Sequence, residues 1–98
     1  MANENVCVVA IVLSHNNVSD IERTILSLQK QTLCGDNLYT VAVDFGSVDG
    51  TYEKLLSFQR RNFGVYQHTE SVGQEQYPLI GWQYARMSIQ VYAIIIFF

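Results

Sequence analysis

Apolar residues are concentrated in short runs that are separated by polar segments. Two of these runs, residues 6–13 and 38–43, are rich in β-branched residues, and a third, residues 91–98, is almost purely apolar. Runs of this length are typical of strands that are buried on both faces of a parallel sheet. Together with a short mixed run at residues 65–68, they predict a sheet of about four strands.

The segment after the first run has the apolar spacing of a helix. Ile21, Ile25 and Leu28 recur at three to four positions, which places them on one stripe that can pack against a sheet. Ser19 and Glu22 have the spacing of a capping box, in which the two side chains bind backbone N–H groups of the first turn. We therefore predict that the first helix begins at Ser19.

Two further helices are expected. Residues 52–58 carry apolar side chains close to helical spacing, and the helix that they predict ends at residues 62–64. Residues 69–73 have the composition of a loop. Residues 74–88 predict a third helix, whose regular part begins near Pro78 because proline is tolerated in the first turn of a helix. Each predicted helix thus lies between two predicted strands.

This alternation of strands and helices favours right-handed crossovers and a parallel sheet with helices on its faces. The predicted fold class is α/β: a Rossmann-like, three-layer α/β/α arrangement with a mostly parallel sheet of about four strands. The chain has 98 residues, of which 49% are hydrophobic, and one proline. Residues 1–98 are therefore expected to form a single globular domain.

Charge and apolar length exclude several classes of protein. The net charge is -3 at pH 7, and Arg60 with Arg61 is the only basic pair, so nucleic-acid binding is not expected. No lysine or arginine precedes Arg23, which argues against a signal peptide. The apolar run at residues 91–98 is too short to span a bilayer. We therefore expect a cytoplasmic protein without a membrane span.

The cysteines and histidines predict no metal site. Cys7 in the first apolar run and Cys34 in a predicted turn form neither a disulfide framework nor a metal-ligand spacing. Both are interpreted as reduced thiols, with Cys7 in the core. His15 and His68 have no Cys or His at metal-ligand spacing and are interpreted as surface or hydrogen-bonded residues. No metal ligand and no cofactor are expected in this chain.

The turn after the second predicted strand carries the most candidate chemistry and reads V-D-F-G-S-V-D-G-T. Gly46 and Gly50 allow positive φ and close approach of a ligand, and Ser47 or Asp49 can cap the following helix. Asp44 leaves a carboxylate at the end of the strand, where α/β sheets bind ligands. Two interpretations of Asp44 remain open: hydrogen bonding to a base or ribose, or capping and shaping the turn.

Three motifs, taken in order, resemble the amino-terminal half of family 2 glycosyltransferases, which are enzymes of the GT-A fold. The motifs are V-V-A-I-V-L-S-H-N-N, S-L-Q-K-Q-T and V-D-F-G-S-V-D-G-T. A segment with two glycines before the last apolar run follows in the order that is found in the family. The resemblance implies binding of a nucleoside-diphosphate sugar and, in a complete enzyme, transfer of its glycosyl group to an acceptor hydroxyl.

The resemblance also implies which residues bind the nucleotide. They lie after the first strand and in the acidic turn, and are Leu13, Ser14, Asn16, Asp44, Gly46 and Ser47. No catalytic residue is implied within this chain. In the family the fourth strand leads into an Asp-x-Asp type motif that holds a divalent cation, Mn or Mg. Because the chain ends about where that motif would begin, we expect a short or truncated domain that is inactive alone.

Two positions depart from the family pattern. Phe45 stands where many relatives have a second acid, and it can stack or pack but cannot accept a hydrogen bond from a base. Residues 77–79 read Tyr-Pro-Leu where the family often has Ala-Arg-Asn, so a basic diphosphate contact is missing from its usual place. Arg86 is a candidate replacement for that basic contact to the diphosphate.

The aromatic residues of the third predicted helix are interpreted as packing residues.

Two alternative functions remain open. A non-catalytic nucleotide-binding pseudo-enzyme module would keep a closed pocket and bind without a metal, which Phe45 and Pro78 favour. An interaction domain would instead self-associate through the apolar run at residues 91–98 and form a homo-oligomer. Nucleotide titration and concentration-dependent mass distinguish these alternatives.

Overall fold

Strands and helices alternate along the chain. The computed structural model describes residues 8–30, 38–60, 62–88 and 94–97. In chain order the elements are β1 (Val8–Ser14), α1 (Val18–Gln29), β2 (Leu38–Asp44), α2 (Thr51–Leu56), β3 (Phe63–Gln67), a 3-10 turn (Gln74–Gln76), α3 (Tyr77–Ser88) and β4 (Ile94–Phe97).

The strands form one parallel sheet in the order β3-β2-β1-β4. β1 and β2 pair over their whole lengths, from Val8 opposite Leu38 to Ser14 opposite Asp44. β3 lies on the other side of β2, and the short β4 pairs with the beginning of β1. Helices pack on both faces of this sheet. The predicted Rossmann-like α/β fold class is therefore confirmed.

The sheet divides the core into two halves, because side chains alternate between the faces of a strand. The half under α1 and α2 contains Ala10, Val12, Ile21, Ile25, Leu28, Ala42, Leu55, Phe63 and Val65. The half under α3 contains Val9, Ile11, Val41, Val43, Phe45, Ile80 and Ala85. The apolar stripe predicted for the first helix is confirmed, since all three of its residues are buried.

The start of α1 differs from the prediction. The helix begins at Val18 with Asn17 as its N-cap residue, so Ser19 lies inside the first turn and its predicted capping role is wrong. The reason is a contact from another loop, in which the backbone N–H of Val18 donates to the carboxylate of Asp49 at 3.2 Å. This distant carboxylate takes the place of the local partner that a capping box would supply.

The second helix is shorter, and β3 starts earlier, than the pattern predicts. α2 ends at Leu56, and Phe63 and Gly64, predicted to end the helix, are the first residues of β3. Arg60 and Phe63 exchange backbone hydrogen bonds of 3.1 and 3.0 Å, which turn the chain back into the sheet. Because Phe63 is only 2% exposed, burial of its ring favours this early start of the strand.

α3 lies very close to β1. As predicted, the regular helix begins near Pro78, after the 3-10 turn. A Cβ atom at Gly81 would lie 2.7 Å from Cδ2 of Leu13 and 2.8 Å from Cγ2 of Ile11. Glycine at this position therefore allows the helix to approach the strand at a distance that other residues would not permit.

Some predictions concern residues outside the described ranges. These residues are Cys7 and Cys34, Gln31 and Thr32 of the second motif, and the last apolar run apart from β4. Within the described ranges, no helix is long and apolar enough to cross a membrane.

Candidate functional site

β1 and β2 end side by side at one edge of the sheet. Ser14, the last residue of β1, pairs with Asp44, the last residue of β2, and β3 ends beside them at Gln67. The loops that follow β1 and β2, residues 15–17 and 45–50, therefore leave the sheet at the same edge. We name them the two edge loops. Ligands of open α/β sheets bind at this carboxyl edge.

Asp44 lies beneath the edge loops and is fully buried. Its Oδ1 accepts hydrogen bonds from the hydroxyl groups of Ser14, at 2.8 Å, and Ser47, at 2.6 Å. Its Oδ2 accepts the backbone N–H of Ser47 at 2.9 Å. A buried carboxylate requires such donors, and here the chain itself supplies them. Asp44 therefore shapes the turn, and its hydrogen bonding to a ligand stays a prediction.

Asn16 joins the first edge loop to the second. Its backbone N–H donates to the Ser47 hydroxyl oxygen at 2.7 Å, and its side-chain oxygen accepts the N–H of Val48 at 2.8 Å. Ser47 accepts from Asn16 and donates to Asp44, so hydrogen bonds run from the surface to the buried carboxylate. The φ angles of Asn16 and Gly46 are 52° and 74°, a region that asparagine and glycine tolerate best.

A second group of hydrogen bonds connects the starts of α1 and α2. The N–H of Asn17 donates to the Thr51 hydroxyl oxygen at 3.0 Å, and Asp49 accepts the N–H groups of Val18 and Thr51 at 3.2 and 3.1 Å. The N-cap residue of α2 is Gly50, whose φ is 97°, so the prediction that Ser47 or Asp49 caps this helix is wrong, although Asp49 accepts the N–H of its first residue. The hydrogen bond from the Thr51 hydroxyl, together with those backbone N–H groups, lowers the pKa of the Asp49 carboxyl below its ordinary value of 3.8.

His15 belongs to the first edge loop, although the sequence pattern does not single it out as a site residue. Its Nδ1 lies 2.6 Å from the carbonyl oxygen of Phe45. Since a carbonyl only accepts, Nδ1 carries the hydrogen, and Nε2 accepts from the side-chain amide of Asn16 at 3.3 Å. His15 is exposed, with its ring held by these two contacts. Its place directly after a buried strand was the available signal.

Phe45 connects the second edge loop to α3. Its ring is 6% exposed and stacks on the ring of Tyr77, with centroids 3.8 Å apart and planes at 5°. His68, just after β3, contacts the same ring edge-on at a centroid distance of 5.7 Å. The hydroxyl of Tyr84 lies 3.2 Å from Nδ1 of His68. Phe45 therefore stacks on an aromatic residue of its own chain, and Tyr77 and Tyr84 pack against the core as predicted.

The six predicted nucleotide-binding residues all lie at or beside this edge of the sheet. They are Leu13, Ser14, Asn16, Asp44, Gly46 and Ser47. Asn16 and Gly46 are exposed and Ser47 is half-buried, whereas Ser14 and Asp44 are buried beneath the loops. Leu13 packs against the core half under α3. The groups that a ligand can reach therefore come mainly from Asn16, Gly46 and Ser47.

Arg86, the candidate replacement for a basic diphosphate contact, is engaged on α3 itself. The central carbon of its guanidinium group lies 4.8 Å from the centroid of the Trp82 ring. A cation–π contact of this kind favours a position of the guanidinium over the indole. The contact of Arg86 with a diphosphate stays a prediction.

Acidic and imidazole groups do not form a metal centre within the described ranges. No three His, Cys, Asp or Glu side chains there are grouped so that they could hold an ion. The carboxylates nearest the edge, Asp44 and Asp49, accept hydrogen bonds from N–H and O–H groups of the chain instead. The described residues therefore do not fit the divalent cation that the family resemblance implies for a full-length relative.

The chemistry of the edge is the main guide to function. The two edge loops present amide, hydroxyl and backbone groups beside an aromatic cluster, a combination that suits a small polar ligand with a planar ring. No protein-family model matches the chain, and no curated protein matches it.

Proposed function

We propose that this protein binds a nucleoside diphosphate at the carboxyl edge of β1 and β2, as the donor-binding half of a family 2 glycosyltransferase. The observation that carries the proposal is the pair of hydrogen bonds by which Asn16 joins the edge loops, to Ser47 and to Val48. These bonds hold two short polar loops as one surface before a ligand binds. Such preorganisation lowers the entropy cost of binding.

The exposed groups of this surface suit the base and ribose of a nucleotide. Asn16 and Ser47 supply amide and hydroxyl groups for hydrogen bonds. A Cβ atom at Gly46 would meet nothing within 4 Å, so a ligand has room to approach the backbone there. Asp44 orients the hydroxyl groups of Ser14 and Ser47 from below, which makes it a positioning residue of the site.

The diphosphate of the donor requires positive charge. Asp49, near the end of the second edge loop, is exposed, and as a carboxylate at neutral pH it adds negative charge. In the family, a divalent cation on the Asp-x-Asp type motif neutralises the diphosphate. The described residues of this chain carry the contacts to the base and ribose.

For a complete enzyme, the proposed reaction is glycosyl transfer from a nucleoside-diphosphate sugar to an acceptor hydroxyl, with inversion. The acceptor oxygen forms the bond to the anomeric carbon as the bond to the diphosphate breaks, and its proton passes to a general base.

One observation favours a second candidate, a nucleotide-binding module without catalysis. Phe45 takes the place of a second acid, and its ring stacks on Tyr77.

Self-association through β4 is a further candidate. Ile94–Phe97 form an edge strand of the sheet, paired with β1 on one side. Within the described ranges no strand pairs with its other side, and an apolar edge strand is a common site of pairing between chains. Light scattering over a range of protein concentrations tests this candidate, and a monomer at high concentration would exclude it.

Calorimetric titration of the protein with uridine diphosphate and other nucleoside diphosphates, with and without manganese, tests the proposed binding. We expect one nucleotide to saturate a single site. If none of them saturates, the proposal fails. Release of nucleoside diphosphate from a sugar donor would contradict the expectation that the chain is inactive alone.

A pair of serine variants assigns the binding to the edge loops. Ser47→Ala removes a hydroxyl group of the proposed site, so affinity should fall about two- to tenfold, the effect of one hydrogen bond. Ser57→Ala removes an exposed hydroxyl at the end of α2, which donates to the Lys54 carbonyl, and should leave affinity unchanged. Equal affinities of the two variants would place the ligand elsewhere.

A further inference from the structure

We infer that His15 is a proton-operated switch for the side-chain amide of Asn16. With a neutral His15 ring, this amide joins the first edge loop to Val48 of the second. With a proton on Nε2 of His15, the amide turns to the ring and releases Val48. The switch concerns the loops themselves, and only its consequence for nucleotide affinity rests on the proposed function.

A continuous series of hydrogen bonds passes from the second edge loop to the first and back to the second. Nδ1 of His15 donates to the carbonyl oxygen of Phe45 at 2.6 Å. Nε2 of the same ring accepts from the side-chain amide nitrogen of Asn16 at 3.3 Å. The side-chain oxygen of Asn16 accepts the N–H of Val48 at 2.8 Å.

The two ends of this series fix the direction of every bond in it. A carbonyl oxygen only accepts and a backbone N–H only donates, so Nδ1 of His15 carries a hydrogen and the Asn16 oxygen faces Val48. The amide nitrogen of Asn16 then faces Nε2, which has to offer its lone pair. The observed arrangement therefore requires a neutral ring.

A proton on Nε2 is incompatible with this arrangement, because the NH₂ group of Asn16 and the new N–H of the ring are both donors. Rotation of the amide about its Cβ–Cγ bond brings the oxygen of Asn16 to the ring instead. Since hydrogen bonds from a charged donor are about twice as strong as neutral ones, the oxygen favours the imidazolium over Val48. Val48 thus loses its acceptor.

The change is confined to the tip of the second edge loop. Val48 is 90% exposed, so water can take the place of the lost acceptor. Nδ1 keeps its hydrogen, so the bond from His15 to Phe45 persists, and the backbone N–H of Asn16 still donates to the hydroxyl oxygen of Ser47. The switch therefore separates Val48 from the first edge loop without unfolding the sheet edge.

Titratable groups of the neighbouring elements have partners other than His15. Carboxylates accept from Ser14 and Ser47, from Val18 and Thr51, and from Arg23, while the second imidazole contacts Tyr84 and the second phenol stacks on Phe45. These groups are Asp44 on β2, Asp49 in the second edge loop, Asp20 on α1, His68 after β3 and Tyr77 on α3. Among the described residues no carboxylate forms an ion pair with His15.

Amide hydrogen exchange of the full chain, followed by NMR from about pH 8 to about pH 5, tests the inference, because histidine ordinarily changes its charge in this range. Each rate is compared with the intrinsic rate at the same pH to give a protection factor. Protection of the Val48 amide should fall about two- to tenfold as His15 gains its proton, the effect of one hydrogen bond. Thr51 is the reference, since its hydroxyl group lowers the pKa of its acceptor Asp49 below the ordinary 3.8.

His15→Gln removes the titration but keeps donor and acceptor groups in the side chain. Protection of Val48 should be independent of pH in this variant. His68→Gln is the matched control, because it removes the other histidine of the chain, which contacts the ring of Phe45. The pH dependence at Val48 should remain in this control.

Constant protection of Val48 in the wild type, while the ring signals of His15 shift, would overturn the inference. An equal fall in the wild type and in His15→Gln would overturn it as well, since another group would then be responsible. A His15 ring that gains no proton in this range would do the same.

Titration with uridine, which has no phosphate to attract the imidazolium, measures the consequence for binding. Under the proposed function, the affinity of the wild type should be weaker at about pH 5 than at about pH 8, and that of His15→Gln should be equal at both. If neither uridine nor any nucleotide binds, the proposed function fails, and the exchange of Val48 still decides whether His15 operates the switch.

Discussion

The hydroxyl group of Ser14 donates a hydrogen bond of 2.8 Å to Oδ1 of Asp44, across thirty positions of the sequence. The same two residues are partners in the sheet, as the last residues of β1 and β2. Ser14 is 2% exposed and Asp44 is fully buried. The end of one strand is thus attached to the next by side chains as well as by the backbone. The stability of this edge depends on one carboxylate.

Asp44→Ala should lower the free energy of unfolding by about 1–3 kcal/mol, the usual cost of leaving buried donors without an acceptor. The donors concerned are the hydroxyl groups of Ser14 and Ser47 and the N–H of Ser47. Urea denaturation followed by circular dichroism measures the change. Under the proposed function, nucleotide affinity should fall as well, because Ser47 loses its orientation.

Asp20→Ala is the control for this prediction. Asp20 is exposed, and its partner at 2.6 Å is the still more exposed Arg23, so the free energy of unfolding should change by less than about 0.5 kcal/mol. Equal destabilisation by the two variants would show that the Asp44 carboxylate does not stabilise the edge.

Two substitutions of Asn16 separate its side chain from its backbone. Asn16→Gly tolerates the φ of 52° but removes the acceptor for the N–H of Val48, so hydrogen exchange at Val48 should accelerate. Asn16→Ala loses the same bond and adds about 1–2 kcal/mol for the left-handed conformation. The Thr51 amide, which donates to Asp49, is the internal reference. Unchanged exchange at Val48 in both variants would contradict the role of Asn16.

Gly81→Ala should destabilise the protein by about 1–3 kcal/mol, as overpacking of a core does. The end of the Leu13 side chain can rotate away from the new Cβ, but Cγ2 of Ile11 belongs to a fully buried strand residue and cannot. Thermal denaturation measures the effect. Gly73→Ala is the matched control, because the atoms nearest to a Cβ there belong to the exposed, flexible Glu75 carboxylate, which can move away, so its Tm should stay near that of the wild type. A similar Tm for both variants would refute the close approach of α3.

The pKa of Tyr39 should exceed its ordinary value of 10.0. Burial raises it first, and the charge of ionised Tyr66 raises it further. The neutral phenol is therefore favoured in the folded state, so its contribution to stability is complete below pH 10 and is lost as the pH rises through the folded pKa. Ultraviolet titration, compared with Tyr39→Phe, measures the value. Tyr66→Phe should lower the pKa of Tyr39, and Tyr52→Phe should not.

Local patterns in the sequence are sufficient to predict the helices and strands and to predict the sheet edge at which the two edge loops lie. β1 and β2 are mostly apolar before their polar last residues because both faces of these strands are covered, and the stripe on α1 follows from helical spacing. The turn that begins at Asp44 contains glycines where the backbone needs positive φ. These features depend on neighbours within a few residues, which a sequence displays directly.

The internal bonding of the edge depends on residues that are far apart in sequence. Asp49 binds the N–H of Val18 from 31 positions away, so the capping box at Ser19 was a local solution that the fold does not use. The stack of Phe45 on Tyr77 likewise joins residues of different elements. A spacing pattern does not reveal which distant donor or ring meets which partner, because packing of the whole sheet decides it.

The two halves of the core require different lengths of chain. The half under α1 and α2 uses residues 10–65, whereas the other half also needs Ile80 and Ala85. Val8 pairs with Leu38 and with Ile94, at separations of 30 (38 − 8) and 86 (94 − 8) positions. Contacts of long separation form late, because closing the longer loop costs more entropy. During synthesis, the apolar face that α3 covers therefore stays open to chaperones or to aggregation until residue 85 has emerged.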